Sequence, residues 1–316
     1  MPLSIFSSKG SSSEMSLTKF GYRRAITGAL LMVIGLIVGM ELLVRFGFSS
    51  VSRIESRTYR EHLDALAVRR GTPQRPSILL LGNSLLLEGV NYPGLQQALE
   101  PSATVTRFVM EQTGFLDWKY GIQRLLSEGA QPDRIVLCLN VPQFLAKTIR
   151  GEYPAFYLFR TEDLMSIGRE SDYDLTRTSN LLFARYSLFY AGRNSLRNFV
   201  LNRVHPAYGK VLHGLTTTGA PDMSESQVQA WSSPRLEQLR NQCSLYNVKF
   251  DFLLPPGFGP GEQGLVAAGK STGSSVLVPV SLNSWSPDLY ADGFHLNQEG
   301  SNRFTKLLAS TLQGKY

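Results

Sequence analysis

A serine, an aspartate and a histidine stand far apart in the chain, in local sequences that suit acyl transfer. Ser84 follows the apolar run "SILLLGN" (77–83), and Asp292 and His295 lie three positions apart in the polar stretch "DGFHLNQEG". A hydroxyl that attacks a carbonyl carbon needs an imidazole to take its proton and a carboxylate to orient that imidazole. The three side chains form such a set if the fold brings them together.

Each of these residues also has an ordinary structural explanation. A serine at a strand-to-helix turn is commonly a helix N-cap. An aspartate and a histidine in a polar turn are common in surface loops. The two explanations predict different positions for Ser84, either within hydrogen-bond distance of His295 or far from it while it caps a buried helix.

The elements that must position these residues alternate between strand-like and helical patterns. Near-continuous apolar runs favour strands that are buried on both faces, as in a parallel sheet covered by helices. The pattern predicts a doubly wound, flavodoxin-like α/β domain in three layers, with five parallel strands. The predicted strands are "SILLL" (77–81), "ATVTRFVM" (103–110), "RIVLCLN" (134–140), "KFDFLL" (249–254) and "VLVPV" (276–280).

Two helices carry boundary signals. Ser233 is predicted as an N-cap with Pro234 in the first helical position, and the last helix is predicted from about Gln298 to Gln313. In an open parallel sheet, ligands bind where the carboxyl ends of the strands meet the helix starts. Ser84 follows the first predicted strand at that edge.

The N-terminal region predicts a membrane anchor. Residues 25–44 are apolar apart from Glu41, and twenty helical residues span roughly 30 Å, the thickness of a bilayer core. A cleaved signal peptide is the alternative, but it would have a shorter apolar core and a small-residue cleavage site. We therefore predict a disordered tail (1–24), a transmembrane helix (25–44), a stalk (45–76) and a folded domain (77–316).

The region from 141 to 221 lacks clean strands and predicts a helical insertion that forms a cap or one wall of a cleft. Its aromatic stripe is predicted to pack in the core rather than to form a ligand box. The stripe consists of Leu182, Phe183, Tyr186, Phe189 and Tyr190.

Composition excludes several function classes. The net charge is +7, but the basic residues are scattered and no nucleic-acid-binding motif is found, so no nucleic-acid partner is predicted. Cys138 and Cys243 are the only cysteines and are predicted to be small buried apolar residues. No metal ion or organic cofactor is implied.

The two ends of the predicted domain resemble the SGNH hydrolases, the GDSL-like esterases and acyltransferases. "LLLGNSLLLEGV" is similar to that family's first block and "DGFHLNQEG" to its last, which implies Ser84 as nucleophile with His295 and Asp292. The resemblance also implies an oxyanion hole made by the backbone N–H groups of Ser84 and Gly114 and the side-chain amide of Asn140. Such donors stabilise the charge that develops on the tetrahedral intermediate.

The chain departs from the family pattern at two positions. Asn83 stands where the family usually has aspartate, and the third block, Gly-x-Asn-Asp in the family, appears as "CLNV" (138–141). An α/β-hydrolase is excluded because its G-x-S-x-G elbow needs glycine where this chain has Leu86.

The expected function is that of a membrane-anchored serine esterase or O-acyltransferase that acts on acyl or acetyl esters of a carbohydrate or cell-envelope polymer outside the cytoplasm. Similar bacterial polysaccharide-acetylation proteins work with a membrane acyl-transfer partner. The basic residues that flank the anchor do not fix its orientation, because Lys19, Arg23 and Arg24 precede it while Arg45, Arg53 and Arg57 follow it. The alternative is a catalytically inactive SGNH-like module that binds or scaffolds a polysaccharide-export complex.

Overall fold

The architecture is known from a computed structural model that describes residues 12–48, 52–204 and 223–314. Its strands form one parallel sheet in the order β2-β1-β3-β4-β5, the flavodoxin-like order, with all neighbours parallel. The predicted α/β fold with five parallel strands is therefore confirmed. The strands are β1 (Ser77–Gly82), β2 (Thr104–Val109), β3 (Arg134–Cys138), β4 (Lys249–Leu253) and β5 (Ser275–Leu277).

The α-helices lie before, between and after these strands. They are α1 (Ser12–Leu42), α2 (Arg53–Ala67), α3 (Ser84–Gly89), α4 (Tyr92–Leu99), α5 (Phe115–Ser127), α6 (Val141–Leu145), α7 (Tyr153–Leu158), α8 (Leu164–Glu170), α9 (Leu175–Tyr186), α10 (Leu188–Val204), α11 (Glu225–Ser244), α12 (Glu262–Thr272) and α13 (Gln298–Gln313). A π-helical segment, Leu43–Phe48, continues α1.

The sheet separates two apolar clusters because alternate side chains of each strand point to opposite faces. Leu79 and Leu81 of β1 belong to the cluster that packs under α2, α5 and α11. Ile78 and Leu80 belong to the cluster that packs under α3, α4 and α13. Burial on both faces explains why β1 has an almost unbroken apolar sequence.

Helix α2 differs from the predicted stalk because it packs on the sheet instead of separating the domain from the anchor. Glu61 of α2 accepts from the Arg107 guanidinium of β2 at 2.6 Å and from the Val109 backbone N–H at 2.9 Å. Ala65 is fully buried in the core. Helix α2 is therefore packed on the domain and is not a free spacer.

Two predicted boundaries are wrong. Helix α11 begins at Glu225, not after Ser233, because Ser224 and Gln227 form a reciprocal capping box at that point; Pro234 lies inside the helix. Strand β5 ends at Leu277 because Pro279 has no backbone N–H to give to a ladder.

Helix α1 and the π-helical segment that continues it contain Tyr22–Gly47, a segment that is long and apolar enough to cross a membrane. No part of its most apolar stretch is buried against the domain. The helix begins at Ser12, so the part of the predicted tail from Ser12 to Arg24 is helical. The first eleven residues of that tail lie outside the described part of the chain.

The insertion is helical as far as Val204, and the rest of it lies outside the described residues. The prediction that its aromatic stripe packs in the core is wrong for three of the five side chains. Leu182, Phe183 and Tyr186 are 41%, 58% and 61% exposed. Phe189 and Tyr190 are partly buried against the core.

Candidate active site

The turn after β1 presents Ser84 at the carboxyl edge of the sheet. Asn83, which is fully buried, caps α3 by accepting from the Leu85 N–H at 3.0 Å, and its NH2 group donates to the Thr113 carbonyl at 2.9 Å. Ser84 is therefore the first residue of the helix and not its cap. Its hydroxyl is left for other partners.

Glycine is required just before this turn. A Cβ atom on Gly82 would lie 2.8 Å from the Cys138 carbonyl oxygen of the neighbouring strand. Any larger residue would push β1 and β3 apart at the end that carries Ser84. The close approach of the two backbones thus fixes the position of the turn.

A short closed loop before α13 holds Asp292 and His295. The Ala291 N–H donates to the His295 carbonyl at 2.8 Å, and an isolated antiparallel bridge joins Tyr290 to Leu296. Asn297 then caps α13 by accepting from the Gly300 N–H at 3.0 Å. Because α13 packs on α3 and α4, this loop lies beside Ser84.

The three side chains that we predicted from sequence form one continuous hydrogen-bonded chain. His295 Nε2 lies 3.0 Å from Ser84 Oγ, and His295 Nδ1 lies 2.8 Å from Asp292 Oδ2. Asp292 Oδ1 accepts from the backbone N–H groups of Phe294 and His295 at 3.0 and 2.7 Å. In this arrangement an aspartate orients an imidazole whose other nitrogen reaches a hydroxyl.

The electrostatics keep Asp292 ionised. Partial burial raises the pKa of Asp292, but hydrogen bonds from the His295 ring and from the His295 and Phe294 backbone N–H groups outweigh this and lower the pKa to about 2. Its side chain is 34% exposed and that of His295 is 25% exposed, so solvent reaches the pair. A fixed negative charge at Nδ1 favours the protonated imidazole that forms when His295 takes a proton.

Two of the predicted oxyanion donors are available. The Ser84 backbone N–H, at the first position of α3, has no hydrogen-bond acceptor among the described residues. Asn140 caps α6 through its side-chain oxygen, which accepts from the Gln143 N–H at 2.9 Å. This bond leaves the Asn140 NH2 group without a partner in the described part of the chain, and Asn140 lines the cavity beside Ser84.

The third predicted donor is already used. The Gly114 N–H donates to Asp117 Oδ2 at 2.9 Å, in a cap at the start of α5. Burial raises the pKa of Asp117 to about 7, although the Gly114 N–H acts to lower it. Asp117 Oδ1 is also buried without a partner among the described residues. The backbone of Gly114 lies against α6, because a Cβ atom there would meet the Gln143 carbonyl oxygen at 2.9 Å.

A small cavity adjoins the hydrogen-bonded chain. It has a volume of about 90 Å³ and is bounded by Leu85 and Phe294, the neighbours of Ser84 and His295. Its far wall is the loop "PPGFGP" (255–260) after β4. The cavity walls are mainly apolar, and Asn140 contributes a polar group to them.

Asn283 holds this loop in place through hydrogen bonds to its backbone. The Asn283 side chain accepts from the Gly259 N–H and donates to the Gly259 carbonyl, both at 2.9 Å, and its backbone N–H donates to the Gly257 carbonyl at 2.9 Å. The Phe258 ring packs against Tyr290 with 4.8 Å between ring centroids. We did not predict this wall, although its position at the carboxyl end of a predicted strand was a usable signal.

Within the described residues, no group of three His, Cys, Asp or Glu side chains could hold a metal ion. Cys138 and Cys243 are both fully buried, as predicted.

Fold and site together define a doubly wound α/β protein with a Ser–His–Asp chain at the carboxyl edge of its sheet. No protein-family model matches the chain. No curated protein matches it. Among solved structures, the chain is similar to the crystal structure of TesA, with 13% identity and a TM-score of 0.38, over 76% of this chain and 99% of that one. At that identity and TM-score the likeness supports no inference about activity.

Proposed function

We propose that the chain is a membrane-anchored serine esterase or O-acyltransferase of the SGNH type. One observation carries the proposal, the 3.0 Å contact between Ser84 Oγ and His295 Nε2, with Asp292 on the other ring nitrogen. A serine and a histidine separated by 211 positions in sequence reach hydrogen-bond distance only because the fold brings both to one edge of the sheet. The similarity of both sequence blocks to SGNH hydrolases supports the same conclusion.

The first half of the reaction transfers the acyl group to the protein. Ser84 Oγ attacks the ester carbonyl carbon while His295 Nε2 takes the hydroxyl proton, and the carbonyl π pair moves onto oxygen. The Ser84 N–H and the Asn140 NH2 group donate to this oxyanion. When the intermediate collapses, the C–O bond to the leaving alcohol breaks and His295 returns the proton to the leaving oxygen.

The second half releases the acyl group. Water or an acceptor hydroxyl gives its proton to His295 and attacks the acyl carbon, and Ser84 leaves with the proton from His295. Water gives hydrolysis, and a sugar hydroxyl gives O-acyl transfer. Both outcomes use the same acyl-enzyme, so the accepting group decides between them.

The cavity favours a short acyl group. Its volume of about 90 Å³ has room for an acyl group of a few carbon atoms. An acetyl ester of a carbohydrate or cell-envelope polymer is the proposed substrate. A membrane acyl-transfer protein is the proposed donor partner, with the catalytic domain outside the cytoplasm.

The occupied Gly114 N–H favours a second candidate, a catalytically inactive module that scaffolds a polysaccharide-modification complex. An oxyanion hole with one donor missing loses part of the rate enhancement, since one such donor contributes about 10²–10³ in kcat. Ester turnover therefore decides between the two candidates.

The test uses the purified full-length chain and a water-soluble activated acetyl ester, with and without an oligosaccharide acceptor. Ester turnover that disappears in Ser84→Ala and persists in the control Ser310→Ala is expected; Ser310 is an exposed serine in the last turns of α13. Acetylated oligosaccharide identifies a transferase, and acetate alone identifies an esterase. The absence of any ester turnover that depends on Ser84 contradicts both activities and favours the scaffold.

A further inference from the structure

Helix α9 carries an apolar face that the described residues leave largely exposed. Leu175, Leu182, Phe183 and Tyr186 are 77%, 41%, 58% and 61% exposed, and spacings of seven, eight and eleven positions place them on one side of a helix. The opposite side of α9 is buried through Leu181 and Ala184. An exposed stripe of leucine and aromatic side chains on a packed helix marks an interaction surface.

The C-terminal end of this face lies at the end of the anchor. The Arg45 guanidinium, just beyond α1, donates to the Tyr186 carbonyl at 3.4 Å. Glu41, the single charged residue of the predicted span, accepts from the backbone N–H groups of Leu188 and Phe189 at 3.0 and 3.1 Å. Its carboxylate thus caps the start of α10, where a helix N-terminus stabilises negative charge.

These contacts set the level of α9 relative to a bilayer. The uncharged part of the anchor ends at Met40, because the next residue is the charged Glu41. Glu41 pairs with Arg45 at 2.6 Å and caps α10. The junction between α9 and α10 therefore lies at the level where the anchor leaves the hydrocarbon core. Tyrosine and other aromatic side chains are enriched at that level.

The chain also enters the domain from this side. Arg57, in the second turn of α2, donates to the Val109 carbonyl at 3.3 Å and pairs with Glu111 at 3.0 Å, at the carboxyl end of β2. At the other end of α2, the Val68 carbonyl accepts from the Gln131 N–H at 3.0 Å, next to the amino end of β3. Helix α2, which follows the anchor in sequence, thus begins at the edge of the sheet that carries Ser84.

We propose that the exposed face of α9 lies in the bilayer interface and holds the catalytic edge of the sheet toward the membrane surface. The occupant is lipid, because the face continues from the anchor that the same chain inserts. A helix of this kind is immersed roughly 5–10 Å into the boundary between headgroups and acyl chains. The proposal rests on insertion of α1 and is independent of the chemistry at Ser84.

The test places an environment-sensitive fluorophore on single cysteines of the full-length chain in vesicles of phosphatidylcholine and phosphatidylglycerol. The native cysteines are fully buried and do not compete for the label. Phe183→Cys probes α9, Leu31→Cys probes the anchor, and Leu245→Cys is the matched control. Leu245 is 82% exposed but follows α11 beside the amino end of β4.

Lipids that carry a nitroxide near the headgroup are expected to quench the probe at position 183. Lipids that carry it deep in the acyl chain are expected to quench the probe at position 31. Neither kind of lipid is expected to quench the probe at position 245. The proposal is overturned if the probe at position 183 responds like that at position 245, or if the probe at position 31 shows no insertion. Self-quenching at position 183 that disappears when the vesicle protein is diluted identifies a second copy as the occupant and also overturns it. Ester turnover is not measured, so this test can fail while the proposed activity stands.

Discussion

The two sides of the site differ in how completely they are built. On the nucleophile side, Ser84, His295 and Asp292 have all their contacts in place. On the oxyanion side, two donors are available and the Gly114 N–H is bound to Asp117. In the mechanism that we propose, the activated Ser84 would therefore face an oxyanion site with one of its three donors occupied. We expect ordinary acyl-enzyme chemistry at a moderate rate.

The largest expected effect comes from Asp292→Asn. The variant keeps the loop but no longer stabilises the protonated His295 ring or holds its tautomer, so kcat for an activated ester is expected to fall by about 10⁴-fold. Stopped-assay kinetics measure the change. Asp288→Asn, in the same exposed loop, is the control. Equal activity of the two variants would show that ester turnover does not depend on the hydrogen-bonded chain of Ser84, His295 and Asp292.

Asp117→Asn tests whether the carboxyl group that binds the Gly114 N–H makes stability depend on pH. Because the pKa of buried Asp117 is raised from 3.8 to about 7, the folded state binds more protons than the unfolded state, so stability falls as the pH rises from about 4 to 7. The variant is expected to lose this dependence and to gain up to roughly 4 kcal/mol in free energy of unfolding at pH 8. Urea titrations of the full-length chain measure it.

Exposed Asp64→Asn is the control for that titration and should leave the pH dependence unchanged. Since the asparagine oxygen still accepts from the Gly114 N–H, that donor stays occupied, and kcat should change by less than about tenfold. A flat pH profile in the unmodified chain would contradict the assignment of a buried, shifted carboxyl group.

Asn140→Asp separates the two roles of Asn140. The variant keeps the oxygen that caps α6 but removes the NH2 donor, so kcat is expected to fall by about 10²–10³-fold with little change in stability. Asn140→Ala should lose the same activity and, in addition, about 1 kcal/mol of cap stability. If Asn140→Asp retains full kcat, Asn140 is not an oxyanion donor.

Asn83→Asp tests how much the buried hydrogen bond from Asn83 to the Thr113 carbonyl stabilises the turn before Ser84. An aspartate can cap α3, but it cannot donate to the Thr113 carbonyl, and it leaves that buried oxygen facing a carboxylate. We expect a loss of about 1–3 kcal/mol and a lower midpoint of thermal unfolding. Asn91→Asp, at the half-buried cap of α4, should cost clearly less, and an equal cost at both sites would show that burial of Asn83 is unimportant.

The sequence was informative where local rules determine the structure. The buried strands were evident from unbroken apolar runs, and the Asp-x-x-His turn from its polar sequence beside a helix start. The hydrogen bonding of Gly114 was not evident from the sequence. Its N–H donates to the side chain of Asp117, three residues later, and the sequence pattern does not show which acceptor this N–H finds.

Tertiary packing also overrode sequence patterns elsewhere. Arg53–Ala67 has the charged composition of a stalk, yet its Glu61 carboxylate pairs with Arg107 of β2. The stripe at Leu182, Phe183 and Tyr186 has the periodicity of a core helix, but in the structure it points outward. Periodicity shows that a helix has an apolar face without showing what covers that face.

The most direct test of the central claim is covalent labelling of Ser84. A fluorophosphonate probe loses fluoride as it bonds to an activated serine oxygen, and mass spectrometry of the digested full-length chain locates the adduct. We expect an adduct on Ser84 that is abolished by Ser84→Ala and strongly slowed by His295→Ala. A folded chain that leaves Ser84 unlabelled, or that labels it equally fast without His295, would contradict it.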